Sequence, residues 1–449
     1  MRFFNWPGLG GFSHGIHPPE YKKETASKPI RRLPFAPELI LPLSQHIGAP
    51  SKPIVKVGQE VVRGEMIAEA DGKMSIPVHA PASGVIKDID LMPGLRGSMQ
   101  ESIVLRVYEG STQEILWGQP RDMDALLPED IIQAVQDTGM AGLGGAAFPT
   151  HVKFKIPKEH KVHTLVVNGC ECEPFLSTDH RVMLEYPEAL IRGIHYAMRA
   201  TGTKKAIVGI ESNKRDAAKV IRNLLTAEDD IEVKVVETKY PQGAEKMLLK
   251  SVWNVEVPSG GLPSELGIIV SNVGTLAQLG ELLPRGQGLI ERVITVAGNS
   301  VNKTGNFLIP IGTPISFVLE WLGTSSKIEE VILGGPMMGM SAASTDVPIT
   351  KGTSGILVFK DEMLDRQERR SYPCIKCSRC VEACPMHLNP AQLGWLAAKR
   401  EYEVMEKDYH LNDCFECGCC SYVCPSHIAL VQHFRIAKAV NRENREKAA

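Results

Sequence analysis

The chain has 449 residues, 43% of them hydrophobic, and its 50 Lys plus Arg against 52 Asp plus Glu leave a net charge of −2. That length accommodates three or four domains of ~100–150 residues with sizeable cores, and the charge balance argues against a polyanion such as nucleic acid as partner. No apolar run reaches the ~18 residues of a membrane-spanning helix. The N-terminus shows no signal-peptide pattern, and nine of the 11 Cys fall between 374 and 424. This clustering excludes an extracellular disulfide scaffold and points to metal ligation in a reducing compartment. The expected location is therefore cytoplasmic, with membrane contact only through docking to other subunits.

Four blocks follow in chain order. Residues 1–115 are rich in Pro, Gly and short β-like runs such as Pro53-Ile-Val-Lys-Val57 and Gly84-Val-Ile-Lys-Asp-Ile89. Recurrent turn signals predict a small all-β domain there. Residues 120–285 alternate helix and strand patterns: helix 129–137, strand 163–167, helix 187–201, strand 206–210, helix 215–225 and strand 232–236. That alternation predicts an α/β domain. Residues 286–362 return to short strands with one helix near 315–322. A charge-rich linker spans 361–370. Residues 371–449 carry the Cys runs, a helix over 390–403 and a charged helical tail.

Motifs fall in each block. Gly58-Gln-Glu-Val61-Val-Arg-Gly64 and Ala80-Pro-Ala-Ser-Gly84 resemble biotinyl/lipoyl-type barrel-sandwich domains. Lys73 falls where that fold carries its modified Lys, but Asp71-Gly72 replaces the usual Met-Lys-Met context, so a docking domain is expected. Next comes Gly139-Met-Ala-Gly142-Leu-Gly144-Gly145-Ala-Ala-Phe148-Pro149-Thr150-His-Val-Lys153. Its backbone amides can face one phosphate, with Lys153 adding charge. It follows a helix, unlike the Rossmann fingerprint, and lacks the Walker A ending. On glycine spacing alone the signal is weak, and a plain tight turn is the stronger reading. Asn168-Gly-Cys170-Glu171-Cys172-Glu173-Pro174 follows a strand, where α/β sheets bind ligands; the plain alternative is a capped loop with solvated carboxylates. Cys170 and Cys172 read as a redox pair or as two buried small residues. Asn272-Val-Gly274-Thr275 follows the apolar strand 267–271.

The C-terminal block is the most specific. Cys374-x2-Cys377-x2-Cys380-x3-Cys384-Pro385 and Cys414-x2-Cys417-x2-Cys420-x3-Cys424-Pro425 each match the bacterial two-cluster ferredoxin run. Three close thiolates wrap a cubane and the fourth ligates the other cluster. Cys374, Cys377, Cys380 and Cys424 should therefore hold one 4Fe–4S cluster, and Cys414, Cys417, Cys420 and Cys384 the second. Zinc or a free thiol cluster is the bland alternative, and two complete runs closed by Pro argue against it. Cys419 is off the spacing and reads as a spectator.

Taken together, the Gly loop, the Asn168–Pro174 loop and Asn272 with Thr275 resemble the flavin- and NADH-binding subunit of respiratory complex I. The resemblance implies FMN contacts for Gly142, Gly144, Gly145, Lys153, Asn168, Asn272 and Thr275, and NADH contacts for Phe148, Glu171 and Glu173. Cys170 stands where that family has Asp, Gly274 where it has Glu, and Gly243-Ala-Glu245 only partly echoes its acidic segment. Residues 291–315 resemble the β-grasp (SLBB) module of the same family. Gly11-Phe-Ser-His-Gly15-Ile-His17-Pro-Pro19-Glu-Tyr21-Lys, with the whole order of blocks, resembles the C-subunit family of Rnf electron-transport complexes. That resemblance covers nearly the full chain. It implies a multidomain α/β protein: barrel-sandwich domain, flavin-binding domain, β-grasp module and helical two-cluster domain. It further implies a peripheral subunit on the cytoplasmic side of the cell membrane, binding FMN, NAD(H) and two 4Fe–4S clusters. Its expected partners are the integral-membrane and ferredoxin-like subunits of an ion-translocating ferredoxin:NAD+ oxidoreductase. Alternatives are a microcompartment flavin/iron–sulfur cobalamin reductase, which would begin directly at the flavin domain, and a non-catalytic ferredoxin-like wire.

Overall fold

The computed structural model describes residues 9–448 apart from 96, 158, 325–327 and 361–369. The charge-rich linker expected over 361–370 therefore lies almost entirely outside the described residues. Four groups of strands and helices are described in chain order, the first two sharing one hydrophobic core, and a segment near the N-terminus contacts several of them.

The first unit is a barrel sandwich. A four-stranded antiparallel sheet runs Glu38–Pro42, Met99–Val107, Gly84–Pro93, Glu60–Val61, and a three-stranded sheet runs Lys52–Pro53, Met66–Glu69, Val78–His79. Alternating side chains enclose a core in which Leu39, Leu41, Ile67, Ile86, Ile103 and Leu105 are all fully buried. The β-like run expected at Pro53–Val57 pairs only over Lys52–Pro53. Val57 is left exposed, followed by a turn at Gly58.

The second unit is a parallel four-stranded sheet ordered Ile231–Val236, Lys205–Glu211, Thr164–Gly169, Ile268–Asn272. Successive strands step outward from Thr164–Gly169, and the last returns to its other side. Strand order therefore reverses between Thr164–Gly169 and Ile268–Asn272, which opens a crevice beyond their carboxyl ends. Helices Pro187–Thr201 and Val273–Arg285 pack closely over one face. Two glycines permit the crossing: a Cβ on Gly193 would lie 1.8 Å from the Leu276 carbonyl oxygen, and one on Gly280 1.9 Å from that of Ala189. The helix expected at 187–201 forms over those residues, with Pro187 at its start and Gly202 in the left-handed conformation at its end.

In the third unit, strands Glu291–Ala297 and Gly305–Pro310 form a hairpin, helix Ile315–Leu322 crosses, and Gly355–Phe359 returns parallel to the first strand. This is the β-grasp arrangement. Arg31–Arg32 adds a parallel edge strand beside Gly305–Pro310, which the sequence pattern did not suggest.

The fourth unit is helical, with a small core around Leu393, Met405, Leu411 and Phe434. The helix expected over 390–403 divides into Pro390–Ala398 and Tyr402–Lys407. Arg400 takes a positive φ of 60° between them, which ends the first helix.

Residues 10–28 lie outside the barrel sheets. Gly10 bridges Val236 at the edge of the parallel sheet, Ile16 bridges Tyr240, and the Gly15 amide donates to the Ala383 carbonyl of the helical unit. Lys22 is buried and donates to the carbonyls of Glu171 and Leu176 at 2.5 and 2.6 Å.

Candidate functional site

The crevice at the reversal point gathers most of the residues singled out in the α/β block. Asn168 and Asn272 are register partners at the ends of adjacent strands. Asn272 caps helix Val273–Arg285 by accepting from the Thr275 amide, and its own amide donates to Asp179 at 2.7 Å. Thr275 accepts the Leu143 amide on its hydroxyl at 2.9 Å, which ties the Gly loop to this cap. The loop is closed at its neck by the Gly142 amide donating to the Phe148 carbonyl, and by the Thr150 amide donating to Met140. Beyond that neck Gly144, Gly145 and Ala146 are exposed, and their amides donate no hydrogen bond among the described residues. Nothing lies within 4 Å of a Cβ built on Gly145, whose φ is +107°, while one on Gly144 would touch Asn272 at 3.4 Å.

Free amides on an open Gly-rich loop, above a strand end and a helix N-terminus, fit a nucleotide phosphate. The residues present therefore fit FMN. Lys153 sits below the loop, donating to the Val270 carbonyl at 3.0 Å and to Glu245 at 3.2 Å. Asn168 donates to the Gly243 carbonyl and accepts the Cys170 amide. Asp179, Glu245, Gly243 and Arg292 complete this network, and apart from the partial echo at Gly243 and Glu245 they carry no local signal. Arg292 is fully buried and donates to the carbonyls of Leu143 and Lys351.

The two acidic-loop carboxylates do different things. Glu171 is buried and accepts the amides of Asp179 and His180, capping helix Thr178–Glu185. Burial, with Glu171 beside it, pushes the Asp179 carboxyl up to about 7. Glu173 accepts the amides of Met337 and Met338 at 3.0 and 2.9 Å, and burial pushes its carboxyl up to about 7. Both carboxylates therefore have structural partners. Cys170 is buried, and Cys172 accepts the Gly243 amide at 3.3 Å. A cavity of about 90 Å³ beside them is lined by His17, Lys22, Glu171, Cys172, Glu211 and Tyr240. The larger one, about 470 Å³, lies at Leu116–Arg121 and Gly286, away from the strand ends; the chemistry of the lining makes the smaller one the more relevant.

In the helical unit the two Cys runs adopt the same local path. Positive φ recurs at Lys376 and Glu416, at Ser378 and Gly418, and at His387 and His427. Such left-handed residues are costly outside glycine, and their recurrence at matching positions marks two loops wound around equivalent centres. Electrostatic proximity sorts the thiols: Cys380 senses Cys424 and Cys377, while Cys420 senses Cys414, Cys417 and Cys384. Burial, then neighbouring thiols, pushes Cys420 up, and burial pushes Cys414 up to about 11. Thiols crowded in this way suit a cationic iron core, which holds them as thiolates. Among the described residues no three His, Cys, Asp or Glu side chains converge on a single metal ion. A cubane takes each thiolate at a different iron, so its ligands stand farther apart than those of one ion. The donor set therefore fits 4Fe–4S clusters. Cys419 is fully buried beside Cys417.

The two regions meet. Tyr240 is buried and donates its hydroxyl to the Cys417 carbonyl at 2.7 Å. It packs in one apolar cluster with Ile16, Ala383, Cys417 and Cys419, joined by Cys172, Met337 and Phe415. His14 bonds the Cys384 carbonyl through its Nδ1 at 3.0 Å. Neither Tyr240 nor the roles of His14 and Lys22 could be read from spacing, because each depends on contacts between distant parts of the chain.

Comparison with known proteins agrees with this architecture. Residues 10–109 match the RnfC barrel sandwich hybrid domain, 135–281 the Nuo51 FMN-binding domain and 373–428 a 4Fe–4S dicluster domain. The chain is 40% identical to the C subunit of the proton-translocating ferredoxin:NAD(+) oxidoreductase complex of Clostridium ljungdahlii, over 98% of this chain and 96% of that one. It is 40% identical to the C subunit of the Na(+)-translocating ferredoxin:NAD(+) oxidoreductase complex of Acetobacterium woodii, over 89% and 90%. An air-oxidized NAD+-reducing [NiFe]-hydrogenase structure shares the fold at a TM-score of 0.50 and 21% identity, over 69% of this chain and 62% of that one. No helix among the described residues is long and apolar enough to cross a membrane. The chain belongs to the C-subunit family of the ion-translocating ferredoxin:NAD+ oxidoreductase (Rnf) complexes.

Proposed function

We propose that this chain is the NADH- and FMN-binding peripheral subunit of an ion-translocating ferredoxin:NAD+ oxidoreductase, docked on the cytoplasmic face of the membrane by its integral-membrane and ferredoxin-like partner subunits. The observation that carries this reading is continuity. An open glycine loop stands at a sheet reversal point, and the Asn168–Pro174 loop at the same strand ends reaches, through Cys172, an apolar cluster shared with Tyr240 and Cys417 of the paired cysteine runs. Bound there, FMN supplies the conversion between two-electron hydride exchange with NAD(H) and single-electron transfer to 4Fe–4S clusters.

The residues of the chain bind and orient. The free amides of Gly144, Gly145 and Ala146 receive the flavin phosphate, with Gly142 holding the loop neck and Lys153 supplying positive charge beneath it. Asn168, Asn272 and Thr275 fix the strand-end side of the flavin. Phe148, Glu171 and Glu173 border the side open to NADH, the carboxylates acting through the backbone segments that they hold. Cys374, Cys377, Cys380 and Cys424 ligate one cluster, and Cys384, Cys414, Cys417 and Cys420 the other. Ion movement belongs to the membrane partners.

The test is anaerobic reconstitution of the full chain with iron, sulfide and FMN, followed by NADH titration watched by absorbance and EPR. Bleaching of the flavin with the appearance of signals from about two reduced clusters per chain is the expected result. Clusters that form in a protein retaining neither FMN nor NADH would overturn the flavin assignment and leave a simple electron wire.

A further inference from the structure

The two Cys runs share a backbone path but not an environment. In the second run Phe415 and Cys419 pack into the cluster with Ile16, Cys172 and Tyr240, Cys417 is 9% exposed, and Gly418 lies against the Met337 carbonyl. A Cβ on Gly418 would stand 3.0 Å from that oxygen, whereas the matching Ser378 of the first run is exposed. The counterpart of Phe415 is Ile375, 67% exposed, and the counterpart of Cys419 is the exposed Arg379. Charge differs as well. Residues 371–379 are exposed throughout and carry Lys376 and Arg379, with Glu382 the one acid further along the run, while the matching residues 411–419 carry Asp413 and Glu416 and no basic residue. Glu416 is already paired within the domain, to Arg435 and Lys438. Tyr372, also exposed, is fixed beside this face by its amide donating to the Ser426 carbonyl.

Among the described residues, an apolar rim covered by the flavin unit and Met337 in one run, and an uncovered apolar and basic rim in the other, give the pair a direction. We infer that the Cys384, Cys414, Cys417 and Cys420 set exchanges electrons with the flavin. The Cys374, Cys377, Cys380 and Cys424 set exchanges them with an acidic one-electron carrier that docks over Tyr372, Ile375, Lys376 and Arg379. This rests on the function proposed above and adds to it an order of the clusters and a docking face. Each transfer moves one electron between named donors and acceptors and breaks no bond. Charge complementarity selects the carrier: Lys376 and Arg379 attract a partner whose redox centre is ringed by carboxylates, and burial of Ile375 and Tyr372 holds it.

The test uses the full chain, reconstituted anaerobically, in four forms: wild type, Cys377→Ala, Cys417→Ala, and the double variant Lys376→Glu/Arg379→Glu. Rapid-freeze EPR after mixing with NADH reads which cluster accepts electrons, and dithionite reads which cluster is present. In Cys377→Ala the remaining cluster is expected to be reduced by NADH as fast as in wild type. In Cys417→Ala the remaining cluster is expected to respond to dithionite and lose its response to NADH. Equal NADH reduction of the remaining cluster in both Cys variants overturns the order. Should either Cys variant lose both clusters, the double variant decides, since it leaves every ligand in place. With a small acidic ferredoxin as acceptor at low salt it should lose most of the wild-type transfer rate, while NADH reduction of its clusters and transfer to a neutral quinone stay unchanged. An unchanged ferredoxin rate refutes the docking face. Wild-type clusters that dithionite reduces and NADH does not would instead refute the underlying function, a separate result.

Discussion

Lys351 offers the sharpest test of the interface between barrel and flavin units. Its ammonium is fully buried and donates to the carbonyls of Pro77, in the barrel, and Gly139, at the neck of the Gly loop, both at 2.7 Å. Burial alone pulls its pKa down from 10.5 to about 7. The folded value lies below the unfolded one, so between these two pH values the unfolded chain holds a proton that the folded chain has released. Stability therefore rises with pH across that window, at about 1.4 kcal/mol per pH unit where the difference is a full proton. Integrated from about pH 7 to about pH 9, the gain is roughly 2 kcal/mol. Neighbouring His46 and His79 are held down by burial to about 4 and about 3, so both stay neutral throughout. The perturbation is Lys351→Met, which removes the titration while keeping the chain length. Urea unfolding of wild type and variant is followed at both pH values, on the transition that disrupts these two units. The stability gap should move in favour of wild type by roughly 2 kcal/mol as the pH rises. A gap that stays constant, or one that moves the other way, refutes the account of Lys351 as a poorly solvated interdomain ammonium.

Other expectations follow from single contacts. Thr275→Val leaves the buried Leu143 amide without its acceptor; it should cost about 1–3 kcal/mol of stability and release FMN during gel filtration, where retained flavin fluorescence would contradict the loop–cap link. Gly193→Ala drives a methyl group into the Leu276 carbonyl and should destabilise the flavin unit by about 1–3 kcal/mol, seen as a lowered melting temperature. Tyr240→Phe keeps the packing but removes the hydrogen bond to the Cys417 carbonyl. Redox titration by EPR should show one cluster potential shifted by tens of millivolts, on the order expected when a hydrogen bond beside a cluster ligand is lost; equal shifts in both clusters would count against the assignment.

Features set by short-range pattern were legible in the amino-acid sequence itself. The Cys runs, the Pro187–Thr201 helix and the strand–helix alternation around the flavin sheet depend on spacing within a dozen or so residues, which periodicity reports directly. The pairing of Asn168 with Asn272 was half-legible: both stood after apolar strands, but their adjacency needed the strand order. What escaped was non-local. Arg31–Arg32 looks like a charged stretch until Phe307 and Leu308 are beside it. Glu171 looks like a solvated loop acid, yet it is buried because two amides of the next helix need an acceptor. Lys22 reads as a surface lysine and ends in the interior because two orphan carbonyls meet there.

The segment from Gly10 to Lys22 has a consequence for how the molecule is assembled. Its contacts reach Val236, Tyr240 and Cys384, and His14 is 370 residues from the last of these in the chain. Its contacts can all be present only when the flavin sheet and the cysteine module are both folded. One short segment therefore couples the edge of the flavin sheet to the cysteine module, so that disturbing either removes part of what holds it.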